Sequence, residues 1–140
     1  MKKQIVFGGR VMDGYFIEYK NKQVRILSAK NAGIKEMSIP KSGSSNYPKF
    51  IFVVNGERIG ADIHRVIAEN LVSFPKPKDI TKRDWDKTPE IVREHLKSLY
   101  FVNHKDHDKY NCHPSNLEWV TSKGNAHAYQ KHKKGVKCIQ

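Results

Sequence analysis

Cysteine is almost missing from this chain: Cys112 and Cys138 are the only two among 140 residues, and they form no CxxC pair. A disulfide framework and a four-thiolate metal site are therefore excluded, and a reduced, intracellular setting is expected. Long apolar runs are missing too. Ile5-Val6-Phe7 follows Lys2 and Lys3 as in a leader peptide, but Gly8-Gly9-Arg10 ends the run early. No stretch approaches the roughly 20 apolar residues that a spanning helix needs. There is no internal repeat and no long low-complexity tract. Negative charge is scarce, with 14 Asp and Glu against 26 Lys and Arg, a formal +12.

Two Trp, six Tyr, six Phe and a hydrophobic share of 38% exclude a disordered chain. The length fits one domain, or one domain with a small appended lobe. An excess of +12 attracts polyanions over a Debye length. Basic charge alone is common, so it gains meaning only beside a site.

The first sixty residues read as short strands. Residues 15–19 and 23–27 flank a polar link at Asn21-Lys22, which predicts a hairpin. Residues 41–46 form a Ser/Gly-rich surface loop. Residues 50–54 and 58–61 flank Asn55-Gly56, which tolerates positive φ at both positions and predicts a second hairpin. Asp62 is placed to cap a helix carrying Ile63, Val66, Ile67 and Leu71 at helical spacing, closed by Pro75-Lys76-Pro77. A second helix is expected from Thr88, with Pro89 in its first turn and Ile91, His95 or Leu96, and Leu99 as its buried stripe. Residues 100–102 read as a strand entering Asn103-His104, with residues 117–120 as the second strand of that unit. From Thr121 or Ser122 a helix should run through Asn125, Ala128 and His132 to Gly135. The last unit is thus strand, polar loop, strand, helix.

That unit carries the chemistry: Val102-Asn103-His104-Lys105-Asp106, then Ser115-Asn116-Leu117-Glu118-Trp119-Val120-Thr121, then Asn125. Cutting a phosphodiester needs an activated water, charge stabilisation at phosphorus and help for the leaving oxygen. A histidine that titrates near neutrality can take the proton. A hard divalent ion can polarise the phosphate and stabilise the departing 3′-oxygen. Such ions accept carboxamide oxygens as well as carboxylates, so asparagine is a competent ligand. Adjacent strand residues point to opposite faces, so Asn103 and His104 can both face one substrate only where the strand ends and bends. Asn125, in the first turn of the last helix, can approach Asn103 from across the hairpin, and that helix N-terminus favours a phosphate.

With Ile63-His64-Arg65-Val66-Ile67-Ala68 upstream, these blocks resemble the HNH endonucleases found as phage homing-type enzymes. The resemblance is tight over residues 62 to 129 and loose before that; the pattern from Tyr15 through Leu27 resembles the β-rich module often fused to them. It implies an α+β protein with a ββα-metal nuclease core, about residues 99–134 within a nuclease region 62–140. Residues 1–61 would be a β-hairpin-rich DNA-binding lobe, and residues 78–98 an insertion before the first motif strand. The resemblance further implies His104 as general base, Asn103 and Asn125 as ligands of one Mg²⁺ or Mn²⁺, and Asn116 orienting His104 and fixing the loop. The implied activity is double-stranded DNA cleavage leaving 5′-phosphate and 3′-hydroxyl ends. Nicking by a monomer and double-strand cutting by a homodimer both fit. A phage-encoded protein in a bacterial cytoplasm is the implied setting, and no C-terminal helix-turn-helix reader is expected. Two positions depart from the family. Asn103 stands where many relatives carry Asp, which weakens metal affinity. His127 follows Asn125 by two residues, where relatives have a histidine three residues on.

Arg25, Lys49, Arg58, Arg65, Lys131, Lys133 and Lys134 are the candidate DNA contacts, supplying sequence-neutral, salt-dependent affinity. Arg65 can instead pair with Glu69 one turn later, and the basic tail can be a solvated end. His64 at a helix start is more often packed than catalytic. Residues 106–110 superficially match a calcium loop but lack its glycine, so a polar turn is expected. His104, His107, Cys112 and His113 pose a zinc alternative that fits no common spacing. Two competing functions remain: a DNA-binding protein with a weakened or inactive nuclease site, kept open by the neutral Asn103, and a small structural zinc module.

Overall fold

The computed structural model describes residues 1–30, 33–40, 43 and 47–121. Tight two-residue turns set the register of its strands. Gly8-Gly9 joins β1 (Lys2–Phe7) to β2 (Arg10–Lys20), and Asn21-Lys22 joins β2 to β3 (Gln23–Ser28). After β4 (Lys35–Met37), Asn55-Gly56 joins β5 (Lys49–Val54) to β6 (Glu57–Asp62). All six turn residues have φ between 51° and 79°, the left-handed geometry whose twist suits a two-residue hairpin. Both hairpins expected from the sequence are present.

β1 to β4 form one antiparallel sheet in sequence order, and β5–β6 forms a separate ribbon. Along β5 burial alternates strictly, so Phe50, Phe52 and Val54 face inward, as a half-buried strand requires. The short apolar run that resembled a leader is strand β1, with Ile5 fully buried. The ladder with β2 shifts register between Gln4 and Val6, and β1 is the edge of its sheet. Asn70 covers that edge at Val6. Its side chain accepts from the Val6 N–H at 3.0 Å and donates to the Val6 carbonyl at 2.9 Å.

Asn70 belongs to α1 (Ile63–Leu71), which buries Ile63, Val66, Ile67 and Ala68. Asp62 precedes the helix as expected, but its side chain makes no capping bond. It turns across the β5–β6 ribbon to Lys49, 3.3 Å away. α2 (Lys82–Asp86) was not foreseen; Thr81 caps it through the Asp84 N–H, and Trp85 is its buried residue. α3 (Glu90–Ser98) starts after Pro89 rather than at Thr88. The expected buried stripe is wrong: no residue of α3 is buried, and Ile91 is 80% and Leu99 62% exposed. The helix is held by polar groups instead. Arg65 donates to the Lys97 and Tyr100 carbonyls, Lys97 reaches the Glu69 carbonyl, and Arg93 binds the Trp85 carbonyl.

Last come β7 (Phe101–His104), a loop, a 3-10 turn at Pro114–Asn116, and β8 (Leu117–Val120). The helix expected from Thr121 or Ser122 onward, and with it Asn125, His127, Lys131, Lys133 and Lys134, falls outside the described residues. One apolar cluster joins Ile5, Met12, Ile17 and Ile26 to Phe52, Ile63, Ile67, Leu117 and Trp119. The N-terminal sheet and the β7–β8 hairpin therefore share a core. No helix among the described residues is long and apolar enough to cross a membrane.

Candidate active site

The β7–β8 ladder pairs Val102 with Trp119, Asn103 with Glu118 and His104 with Leu117. Pairs alternate faces in an antiparallel ribbon. Trp119 is the anchor on one face: its indole N–H donates to the Val72 carbonyl, and the Arg65 guanidinium lies 4.8 Å above its ring. His104 falls on that same buried face and Asn103 on the other. β7 does stop at His104, but it stays regular to its last residue, so the bend that would bring both side chains to one face is not there.

His104 is buried, 4% exposed. Its ring centroid is 4.8 Å from that of His64, and the ring of Tyr47 stacks on it at 5.8 Å. The Cys112 sulfur is 3.9 Å from Nε2. Burial lowers the His104 pKa, the carboxylates of Asp106 and Asp108 partly oppose this, and His107 and Lys109 add to it. The imidazole is thus neutral at pH 7, the form a base needs. Burial, with the His104 ring as second cause, pushes His64 down to about 4, and its Nδ1 is buried without a hydrogen-bond partner. His64 was expected to be packed and hydrogen-bonded; it is packed, against the candidate base, but its Nδ1 is not hydrogen-bonded. Tyr47, at the far end of the Ser/Gly-rich loop, went unnoticed because nothing local in the sequence signals a ring stacked on a histidine 57 positions away.

Asn116 pins the loop after His104. Its Oδ1 accepts from the Asp106 N–H at 3.2 Å, and its Nδ2 donates to Asp106 Oδ1 at 2.9 Å and the Asn111 carbonyl at 2.8 Å. It makes no hydrogen bond to the His104 ring; its carbonyl accepts from the Lys105 N–H, next to His104, at 2.8 Å. The loop is the polar turn expected. Asp106 and Asp108 each accept from the N–H two residues on. Burial would raise the Asp106 pKa, but hydrogen bonds from Asn111, the Asp108 N–H and Asn116 outweigh it and lower the value.

Such a hairpin with this loop has a counterpart among known proteins. Residues 94–127 match the family model for HNH endonucleases. Over that stretch the chain is similar to the HNH endonucleases. The fold agrees. It is similar to that of the HNH homing endonuclease I-HmuI, solved in a study of DNA binding and cleavage by that protein, with a TM-score of 0.58 at 20% identity. The match covers 99% of this chain and 62% of that one. No curated protein matches the chain.

The HNH region sits beside a cleft of about 410 Å³ lined by Phe7, Tyr47, Lys49, Asp62, His64 and Phe101, among others. Of the candidate DNA contacts, Arg58 is exposed on β6. Lys49 pairs with Asp62, and Arg25 with Glu18 and Glu36, all at exposed or partly exposed positions. Arg65 is occupied by Glu69, two carbonyls and Trp119. Of the two roles considered for it, the structure displays the pairing with Glu69. For the zinc alternative, His113 bonds Ser115 through Nδ1 and the Lys22 carbonyl through Nε2, and burial pushes the Cys112 thiol up to about 12. Among the described residues no group of three His, Cys, Asp or Glu side chains is placed to hold a metal. An asparagine ligand falls outside such a grouping.

Proposed function

We propose that this protein is a metal-dependent DNA endonuclease of the phage homing or free-standing type, acting on double-stranded DNA. The observation that carries it is the HNH hairpin itself. Asn103 and His104 occupy the last two positions of β7, with the loop beyond them locked by Asn116; since they face opposite sides of the ribbon, acting together on one phosphate requires the strand end to turn on binding. His104 acts as general base, its neutral imidazole accepting a proton from water. Asn103 and Asn125 hold the divalent ion, and Asn116 keeps the loop in place. The donor set fits a hard cation: the Asn103 carboxamide lies beside a carboxylate, both oxygen donors suited to Mg²⁺ or Mn²⁺. The protonated Cys112 thiol gives a softer metal nothing. When bound, the ion supplies charge stabilisation to the phosphate and the leaving oxygen.

Residues 1–61 are proposed to hold the duplex, with Arg58 and Lys49 as phosphate contacts and Arg25, Lys131, Lys133 and Lys134 beside them. The ion pairs at Arg25 and Lys49 do not prevent this, since exposed pairs contribute little and a phosphate can replace the carboxylate. Supercoiled plasmid with Mg²⁺ or Mn²⁺ tests the proposal. Relaxed or linear product is expected from the native protein, and none from His104→Ala or with EDTA. Native protein that shifts DNA on a gel but cuts nothing, with either ion and across varied substrates, would leave the DNA-binding alternative that the neutral Asn103 favours.

A further inference from the structure

Glu118 stands directly opposite Asn103 in the β7–β8 ladder, on the face away from the core, and its Oε1 accepts from Asn103 Nδ2 at 3.0 Å. Resting on the proposed nuclease function, we infer that Glu118 is a ligand of the divalent ion, supplying across the hairpin the carboxylate that position 103 lacks. Three observations converge. First, divalent-ion affinity depends on ligand charge, and a site built on Asn103 and Asn125 alone carries none. Second, a carboxamide presents nitrogen and oxygen at the ends of one planar group, exchanged by a half-turn about its last bond. Metal-free, the nitrogen end faces Glu118 and is held there by its carboxylate. After the half-turn the Asn103 oxygen takes the nitrogen's place beside Oε1. Third, the two side chains are already in contact at 3.0 Å, so an ion held by the Asn103 oxygen would also be within reach of the Glu118 carboxylate. Glu118 lies within the motif read from the sequence, but its partnership with Asn103 depends on cross-strand register, and that is set by the loop rather than by any local pattern.

Mn²⁺ binding to the full chain, followed by calorimetry and by the electron paramagnetic resonance of free ion, tests this without reference to cutting. Native protein and His104→Ala should bind one Mn²⁺ alike. Glu118→Gln keeps the side-chain shape and an acceptor for Asn103, and should bind at least tenfold more weakly. Adding Asn103→Asp to Glu118→Gln should recover most of the loss, because the carboxylate has only changed strands. Should Glu118→Gln fail to fold, the single Asn103→Asp variant decides. Two facing carboxylates should lower its metal-free Tm and make it rise with Mn²⁺ more than the native Tm does. Unchanged Mn²⁺ affinity in Glu118→Gln, or an Asn103→Asp Tm insensitive to Mn²⁺, overturns the ligand role even where the native protein cuts DNA. Native protein that neither binds Mn²⁺ nor cuts overturns the nuclease proposal and this inference together.

Discussion

Lowering the pH from 7 to 4 should destabilise this protein by about 3 kcal/mol through His64 alone. His64 is 8% exposed, its ring lies beside that of His104, and burial holds its pKa near 4 against an ordinary 6.5. In the unfolded chain it binds a proton below 6.5; in the folded protein it does so only below about 4. Between those values the unfolded state holds more protons, so stability falls as pH falls through this window. Above pH 6.5 the effect vanishes, and below 4 it is fully developed. At about 1.36 kcal/mol per pH unit the span amounts to roughly 3 kcal/mol, a large part of the 5–15 kcal/mol typical of a domain. Urea unfolding at pH 7, 5.5 and 4 measures it, with His64→Phe as reference because it keeps a ring and loses the titration. Carboxylates titrate in both proteins and cancel in the difference. Native protein should lose about 3 kcal/mol more than the variant over this range. Parallel stability curves for the two would refute the buried, neutral imidazole.

Asn116→Ala leaves the Asp106 N–H and the Asn111 carbonyl without their partner and should cost about 2–3 kcal/mol. Thermal melts should then show a Tm lower by roughly 5–15 °C; an unchanged melt would contradict the pinned loop. Arg65→Lys removes the two-pronged grip on the Lys97 and Tyr100 carbonyls and should destabilise by about 1.5–3 kcal/mol with little effect on DNA affinity, measured by urea unfolding beside gel shift. Arg58→Ala should do the reverse, keeping stability within about 0.5 kcal/mol while reducing the salt slope of DNA binding by about 1.

What could be read from the sequence follows the range of each signal. Asn21-Lys22 and Asn55-Gly56 announce their hairpins because a left-handed turn is a local requirement. The alternation through Phe50, Phe52 and Val54 likewise gives away its buried face. The motif blocks placed Asn103, His104 and Asn116 on one hairpin and its loop. α3 was misjudged because apolar spacing predicts a buried stripe only when a partner covers it. Here Arg65 and Lys97, one reaching from α1 and one within α3, dock the helix by its polar side. β1 was passed over because an edge strand completed by Asn70, 64 positions away, has no sequence signature. The surroundings of His104 escaped for the same reason: Tyr47 and His64 come from separate elements and meet only in the fold.

The boundary expected at residue 61 does not divide the core. Ala61 and Ile63 are both buried in the cluster that also holds Ile17 and Trp119, so β6 passes into α1 inside the protein rather than through a linker. The cleft beside the HNH region shows the consequence. Phe7 and Lys49 line it from the N-terminal strands, while His64 of α1 and Phe101 of β7 line it from the other side. Close-packed interiors transmit displacement rather than absorb it, so under the proposed function a duplex bound to the N-terminal strands would be held in fixed relation to His104. Precision of cutting would then depend on the packing of Ile5, Ile63 and Trp119 as much as on the residues touching the phosphate. A large-to-small change such as Ile63→Ala, at 0% exposure, should loosen both together, at a cost of about 2–5 kcal/mol. Cleavage at 25 °C should fall further than the folded fraction measured by circular dichroism on the same sample. If activity instead tracks the folded fraction alone, the shared core stabilises the two lobes without aligning them.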